Sequence, residues 1–157
     1  MKHAFPIRGV AAFVLATLAW TLVASAGDSL YGKVIAVESA DKVVFDYGAG
    51  RYELKLVGIE VPRDTLAATD ARKFVTDLVL NKNVRMRFEG RDPDGTMRAR
   101  LFTDDPQRGI QEVNVELVRA GLVQPGPGGE YKYDELRKAE GEAKAARRGL
   151  WSTTQPQ

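Results

Sequence analysis

The sequence predicts an α+β fold in which a barrel of five β-strands carries three helices. Three observations point to this class. Five segments alternate between apolar and polar residues, an apolar stripe of helical period separates the third from the fourth, and the last third of the chain is helical in pattern. This order of elements is typical of a five-stranded OB-type barrel.

The first three predicted strands form a meander joined by tight turns. They span residues 30–37, 42–47 and 51–57. The third is the most regular, because RYELKLV places apolar side chains on one face and charged side chains on the other. The linking segments SAD and GAG are rich in turn-forming residues. Consecutive strands linked in this way are expected to pair antiparallel.

A predicted helix follows the meander and leads to two further strands. Thr69 or Asp70 is expected to cap the helix at its start. The remaining strands are predicted over residues 84–89 and 97–103, separated by the turn sequence DPDG. The apolar stripe of the helix comprises Ala71, Phe74, Val75, Leu78 and Val79.

Two helices are predicted near the end of the chain. The short one, VELVRA, has Asn114 as its expected N-cap and Gly121 just past its end. A longer helix begins near Asp134, and the dipeptide Leu150-Trp151 is expected to fold back onto the domain. The expected buried face of the longer helix comprises Leu136, Ala139, Ala143 and Ala146.

The first 26 residues have the pattern of a secretory signal peptide. Lys2 and Arg8 precede an apolar run over residues 10–23, and Ala24-Ser25-Ala26 has the form of a cleavage site. The alternative is a retained anchor, although the run is shorter than the ~20 residues that span a bilayer. We therefore predict a signal peptide over 1–26, one barrel domain over 27–151 and a disordered tail over 152–157. The mature protein is expected in the periplasm or outside the cell, without stable membrane insertion.

Composition excludes several kinds of chemistry. The signal segment holds two of the 23 basic residues and none of the 21 acidic ones, so the mature chain has a formal net charge of zero. The sequence has no Cys, and its single His, His3, lies in the signal segment. Thiolate nucleophiles, Ser-His-Asp triads and His-ligated zinc are therefore excluded from the mature protein. A metal ion would need oxygen ligands, which favours a hard cation such as Ca²⁺.

Five segments between about Leu30 and Trp151 match one known family in their order and spacing. They are VESADKVVF, LKLVGIEVP, DARKFVTDLVL, VNVELVRAGLV and KAEGEAKAARRGLW. In these segments the chain resembles the staphylococcal nuclease (thermonuclease-like) family. The resemblance implies the barrel fold and Ca²⁺-dependent cleavage of DNA and RNA phosphodiester bonds. It also implies a site with two metal-binding carboxylates, a backbone carbonyl ligand, a glutamate that activates water and two arginines that hold the phosphate.

The resemblance assigns three metal ligands to this chain. Asp41 stands at the first carboxylate, Glu60 at the second, where the family has an aspartate, and the carbonyl of Val61 is the third ligand. The additional methylene of Glu60 displaces its carboxylate by ~1.5 Å. A weak Ca²⁺ site is therefore expected at these residues. The alternatives are an ordinary turn aspartate and a solvated loop acid.

The remaining family positions are altered. Arg63 occupies the place of the glutamate, and a guanidinium that stays protonated cannot act as a base. Asp64 follows one residue late on a shorter side chain, and it is expected to precede or cap a turn. Lys55 replaces the first arginine and loses its bidentate fork. Thr96 replaces the second, and Arg98 lies ~6.5 Å further along the same strand face.

These changes predict the loss of efficient hydrolysis, because a general base contributes ~10²–10⁴-fold and an electrostatic clamp ~10²–10³-fold. Lys55 and Arg98 remain as weak catalytic candidates. We expect an exported binding module for an unknown protein or envelope partner, or for nucleic acid, and a monomer. The alternative is a weak or altered Ca²⁺-dependent nuclease.

Contacts to nucleic acid are predicted at positions inside and outside the altered site. The candidates are Lys55, Arg63, Tyr131 and Tyr133. Tyrosines can stack on bases, but packing beside the last helix is their commoner use. A local basic patch built from Arg63 with Arg72 and Lys73 is a further candidate surface for nonspecific binding.

Overall fold

The computed structural model describes residues 29–127 and 133–152. The predicted signal segment, most of the predicted tail and Tyr131 lie outside this range. No helix in the described range is long and apolar enough to cross a membrane. The elements, in chain order, are β1 Ser29–Val37, β2 Lys42–Asp46, β3 Arg51–Leu56, β4 Ile59–Glu60, α1 Thr65–Val79, β5 Asn83–Arg91, β6 Met97–Asp105, β7 Gly109–Glu112, α2 Val113–Arg119, β8 Gln124–Pro125, α3 Tyr133–Ala145 and a 3-10 turn Gly149–Trp151.

Five strands close into a barrel, which confirms the predicted fold class. The main sheet runs β3-β2-β1-β5-β6-β7, and a parallel pairing of β3 with β6 joins its two sides. In that pairing Leu54 lies opposite Met97, and Leu56 lies opposite Ala99. β7 extends the sheet beyond β6 as an edge strand, and β4 pairs with β8 in a separate two-stranded ladder. All three predicted helices are present.

One apolar core fills the barrel and continues beneath the helices. Alternate residues of the strands point inward, so Phe45, Leu54 and Leu101 are fully buried while their neighbours face outward. α1 buries the predicted stripe at Ala71, Val75 and Val79, and half-buries its other two members. The same core includes six residues of α2 and α3, namely Val113, Val115, Leu117, Val118, Leu136 and Ala139.

The predicted cap of α1 is wrong by five or six residues. The helix begins at Thr65, and the carboxylate of Asp64 accepts a hydrogen bond of 2.9 Å from the backbone N–H of Ala67. Thr69 lies inside the helix, where its hydroxyl donates to the carbonyl of Thr65. The first turn holds the largely exposed Leu66, and its alanines are only half-buried, so the fully buried stripe that guided the prediction begins later, at Ala71.

The predicted N-cap of α2 is also wrong. The helix begins at Val113, so Asn114 lies in its first turn and is fully buried. Its Nδ2 donates 2.7 Å to the carbonyl of Val57, which follows β3. A buried carbonyl outside a regular ladder needs such a donor. Asn114 therefore fastens the end of β3 to α2 instead of capping a helix.

The end of α2 follows the prediction and anchors the C-terminal segment. Gly121 has φ +72°, its N–H donates to the carbonyl of Val118, and the next N–H reaches back to Leu117. Its own carbonyl accepts 2.8 Å from the N–H of Leu150, so the 3-10 turn folds back as expected. α3 ends at Ala145, which leaves the predicted buried Ala146 exposed.

We expect Gly121→Ala to lower the free energy of unfolding by about 3 kcal/mol. A left-handed backbone costs a side-chain-bearing residue roughly 1–2 kcal/mol, and overpacking costs a similar amount. The added Cβ would collide with the carbonyl of Arg148. Gly48→Ala is the matched control, because Gly48 has φ +88° with open space around it and should lose only about 1 kcal/mol. Urea unfolding measures both variants. An equal decrease in the free energy of unfolding for the two would contradict the role of Gly121 in packing against the C-terminal segment.

Candidate functional site

A cavity of about 220 Å³ lies where β3 and β6 run side by side. Its floor is apolar, and its polar groups stand on the two strands and on the turn before β6. Pro127, which follows β8, also lines it. The lining residues are Lys55, Leu56, Val57, Ile59, Asp92, Arg98 and Pro127.

The cavity brings together the two cations that the sequence proposed for phosphate contact. Lys55 on β3 and Arg98 on β6 are direct cross-strand partners in the parallel pair. Leu54 and Leu56 are buried on the inward face, so Lys55 points outward. Arg98 has no ion-pair partner among the described residues. The strand register therefore places these two cations side by side.

Acidic groups of the turn before β6 partly offset these cations. Lys55 Nζ lies 3.3 Å from Asp92 Oδ2, and a half-exposed pair of this kind contributes little to stability. The N–H of Thr96 donates to Asp94 at 2.9 Å and holds the pKa of that carboxyl below its ordinary value. The Thr96 side chain and the charges of Lys42 and Lys55 add to this lowering of the pKa. Thr96 therefore serves the turn, and it supplies no positive charge at the position where the family has an arginine.

Asp41 lies at the entrance of β2, beside the same end of β3. Its carboxylate accepts a 2.6 Å hydrogen bond from the hydroxyl of Ser39, and its carbonyl accepts 2.7 Å from the N–H of Leu56. The following residue, Lys42, is the cross-strand partner of Lys55. The position of Asp41 beside β3 is thus fixed by the ladder, while its carboxylate already has one partner in the turn.

Glu60 and its neighbours face other surfaces. Ile59 lines the cavity, but Glu60, the next residue along β4, is exposed and lines two depressions of about 360 and 270 Å³. Val61 and Arg63 line the smaller of these two depressions with Glu60. The loop therefore separates Glu60 and Arg63 from the cavity that holds Lys55.

At the position where the resemblance implies a catalytic base, this chain has a cation, and the neighbouring carboxylate belongs to a helix cap. Arg63 is exposed, and Asp64 uses one carboxylate oxygen to cap α1. A cap requires the side chain to point toward the first backbone N–H groups of its own helix. The structure therefore supports the interpretation of Asp64 as a capping residue.

The predicted basic patch is only partly available to a ligand. Arg72 Nε donates 3.2 Å to the carbonyl of Val37, and Lys73 lies 2.6 Å from Asp77 on the same helix. Of the two candidate tyrosines, Tyr131 lies outside the described residues. Tyr133 opens α3, and its side chain is not described.

The donor set fits a calcium ion poorly. Ca²⁺ takes six to eight oxygen ligands, whereas the assigned residues are Asp41, Glu60 and the carbonyl of Val61. Within residues 29–127 and 133–152, no group of three or more acidic or His side chains could hold a metal ion. A bound ion would polarise a phosphodiester oxygen.

Two residues of the site were not predicted from the sequence. Asp92 stood in the DPDG turn and gave no signal of its pairing with Lys55, which lies 37 positions earlier. Asn114 carried a signal for capping, and only the structure shows that it holds the carbonyl of Val57 at the edge of the cavity. Asn114 is fully buried, and its Oδ1 has no hydrogen-bond partner among the residues that the structure describes.

A closed five-stranded barrel with three helices defines a domain of the OB type. The family model described as staphylococcal nuclease homologue matches residues 53–153, which is more than half of the chain. The chain therefore belongs to the staphylococcal nuclease family, as its motifs had indicated. No curated protein matches this sequence.

We expect Asp64→Ala to lower the free energy of unfolding by about 1 kcal/mol, because it removes the cap of α1. Asp64→Asn is the matched control, since an asparagine oxygen can accept the same hydrogen bond and should preserve stability. Thermal or urea unfolding of the purified variants measures both effects. An unchanged stability of Asp64→Ala would show that the carboxylate does not carry the cap.

Proposed function

We propose that this protein binds phosphodiester chains at the cavity between β3 and β6 without hydrolysing them efficiently. One observation carries the proposal. The residue at the base position is Arg63, and the adjacent carboxylate, Asp64, is engaged in capping α1. The glutamate that the resemblance implies there is thus replaced by a cation, and the adjacent carboxylate is directed toward its own helix.

Binding is supported by the two cations on adjacent strands. Lys55 and Arg98 are cross-strand partners on the wall of one cavity, and Arg98 has no ion-pair partner among the described residues. A phosphodiester carries one negative charge, which both cations can contact at the same time. Asp92 and Asp94 lower the local positive charge, so affinity should be modest and strongly dependent on salt.

Weak catalysis is the expected consequence of the missing groups. Without a positioned base the reaction loses ~10²–10⁴-fold, and an arginine replaced by Thr96 removes a further clamp on the developing charge. The alternative, a weak Ca²⁺-dependent nuclease, would rely on Asp41 and Glu60 for metal and on Lys55 and Arg98 for phosphate. The protein or envelope partner expected from the sequence stays a prediction beside these two functions.

We expect the purified protein to leave labelled single-stranded DNA intact in Ca²⁺ over a period in which a family nuclease would degrade it. The combined substitution Arg63→Glu, Lys55→Arg and Thr96→Arg restores the base and the two arginines that the resemblance implies. It should raise hydrolysis by at least ~10²-fold, because it returns both the base and the clamp. The control carries Arg63→Gln with the other two substitutions, which removes the cation without supplying a base.

Gel electrophoresis of the DNA, in Ca²⁺ and in EDTA, gives the measurement. Rapid Ca²⁺-dependent cleavage by the unmodified protein, abolished in Asp41→Asn, would contradict the proposal and establish the alternative. Equal activity of the Glu and Gln versions of the combined variant would contradict the assignment of Arg63 to the base position.

The proposal includes export, which rests on the pattern of residues 1–26. Expression of the full sequence in a bacterial host should give a protein in the envelope fraction that begins at Gly27. Its intact mass tests this directly. A membrane-bound protein with the mass of the full chain would contradict cleavage and would favour the retained anchor.

A further inference from the structure

The outward face of β1, β5 and β6 carries a row of side chains that the cavity does not use. Tyr31 on β1 lies opposite Arg85 on β5, and Arg85 lies opposite Phe102 on β6. Val84, Met86 and Leu101 are buried, so their sequence neighbours in the row point outward. We call Tyr31, Arg85, Arg87 and Phe102 the aromatic–arginine face.

This face presents one open aromatic ring, that of Tyr31, beside a second ring, that of Phe102, which is covered by arginine. Tyr31 is 75% exposed, although a tyrosine on a strand usually buries much of its ring. Phe102 is half-buried, with the guanidinium of Arg85 4.5 Å and that of Arg100 5.6 Å from its centroid. Stacked arginine and phenylalanine form a rigid, polarised platform beside the exposed tyrosine.

The positive charge of this face is only partly neutralised. Arg85 has a ring contact and no ion pair among the described residues. Arg87 lies 3.8 Å from Glu89, but the same Glu89 oxygen lies 2.6 Å from Nε of Arg100, whose side chain is only 5% exposed. Glu89 is therefore engaged mainly by the nearly buried Arg100. Arg85 and Arg87 are left facing solvent with little compensation.

We propose that the aromatic–arginine face binds single-stranded nucleic acid. Each nucleotide supplies one flat base for a ring and one negative charge for a guanidinium, which matches both features of the face. An acidic peptide would supply the charge and leave the exposed ring of Tyr31 without a stacking partner. The mature chain has no net charge, so attraction must come from this local pair of arginines.

The face is distinct from the cavity but lies on the same strand. Arg98 and Phe102 both point outward from β6, and four residues along a strand span about 14 Å. One bound strand could therefore contact the cavity and the face in succession. The inference goes beyond the proposed function, because its residues lie outside the cavity and bind by stacking.

The test is fluorescence anisotropy of the purified protein with a labelled oligothymidine of ~16 nucleotides, the upper site size of an OB fold. EDTA is present, so cleavage cannot affect the signal. Tyr31→Ala should weaken binding by about fivefold or more through lost stacking. Arg85→Gln should reduce the slope of log affinity against log salt by ~0.7, the contribution of one phosphate contact on a single strand.

Two exposed residues on other surfaces give matched controls. Leu66→Ala removes a side chain that is 73% exposed on α1, and Arg51→Gln removes an exposed cation of β3. Both controls should bind as the unmodified protein does. Circular dichroism and thermal unfolding verify that every variant is folded, which is expected because Tyr31 lies on the surface.

A separate variant distinguishes this inference from the proposed function. Lys55→Gln with Arg98→Gln removes the cavity cations and leaves the aromatic–arginine face intact. A loss of oligothymidine affinity that occurs only in that variant would overturn the inference and leave the proposed function standing. Equal losses in Leu66→Ala, or equal competition by polyglutamate, would also overturn it. No binding by the unmodified protein would overturn both proposals.

Discussion

The parallel pairing of β3 with β6 is the contact on which the rest of the structure depends. It joins the two sides of the sheet into a closed barrel, and it places Lys55 directly beside Arg98. Immediately beyond the pairing, the N–H of Val57 donates to the carbonyl of Ala99. The carbonyl of Val57 accepts a hydrogen bond from the side chain of Asn114. The loop that follows is thereby fixed at its origin. Closure of the core and construction of the cavity are consequences of the same register.

The scaffold of this family does not need the catalytic groups in order to fold. The core is apolar and continuous through the barrel and helices, and its stability comes from burial. The polar residues that the framework requires serve backbone groups instead, as Asn114 does for Val57 and Asp64 does for the first turn of α1. Arg63 is exposed on the surface, so its identity does not affect the core that holds the fold together.

The sequence predicted those features that depend on periodicity. The five barrel strands and the buried stripe of α1 emerged because a strand or helix face repeats over many residues. The two-residue strands β4 and β8 are too short to show alternation, and both helix N-caps were misplaced because capping side chains were judged without their partners. The resemblance placed Lys55 and Thr96, but the pairing of Lys55 with Asp92 required the tertiary structure.

The most direct test of binding without turnover is a nuclear magnetic resonance titration with a dithymidine phosphodiester. The backbone amide resonances of Lys55, Leu56 and Arg98 should shift as the ligand is added in EDTA. On addition of Ca²⁺, the phosphorus resonance of the ligand should remain that of a diester. Unshifted amides at these positions would contradict binding at the cavity, and conversion of the diester to a monoester would contradict the loss of hydrolysis.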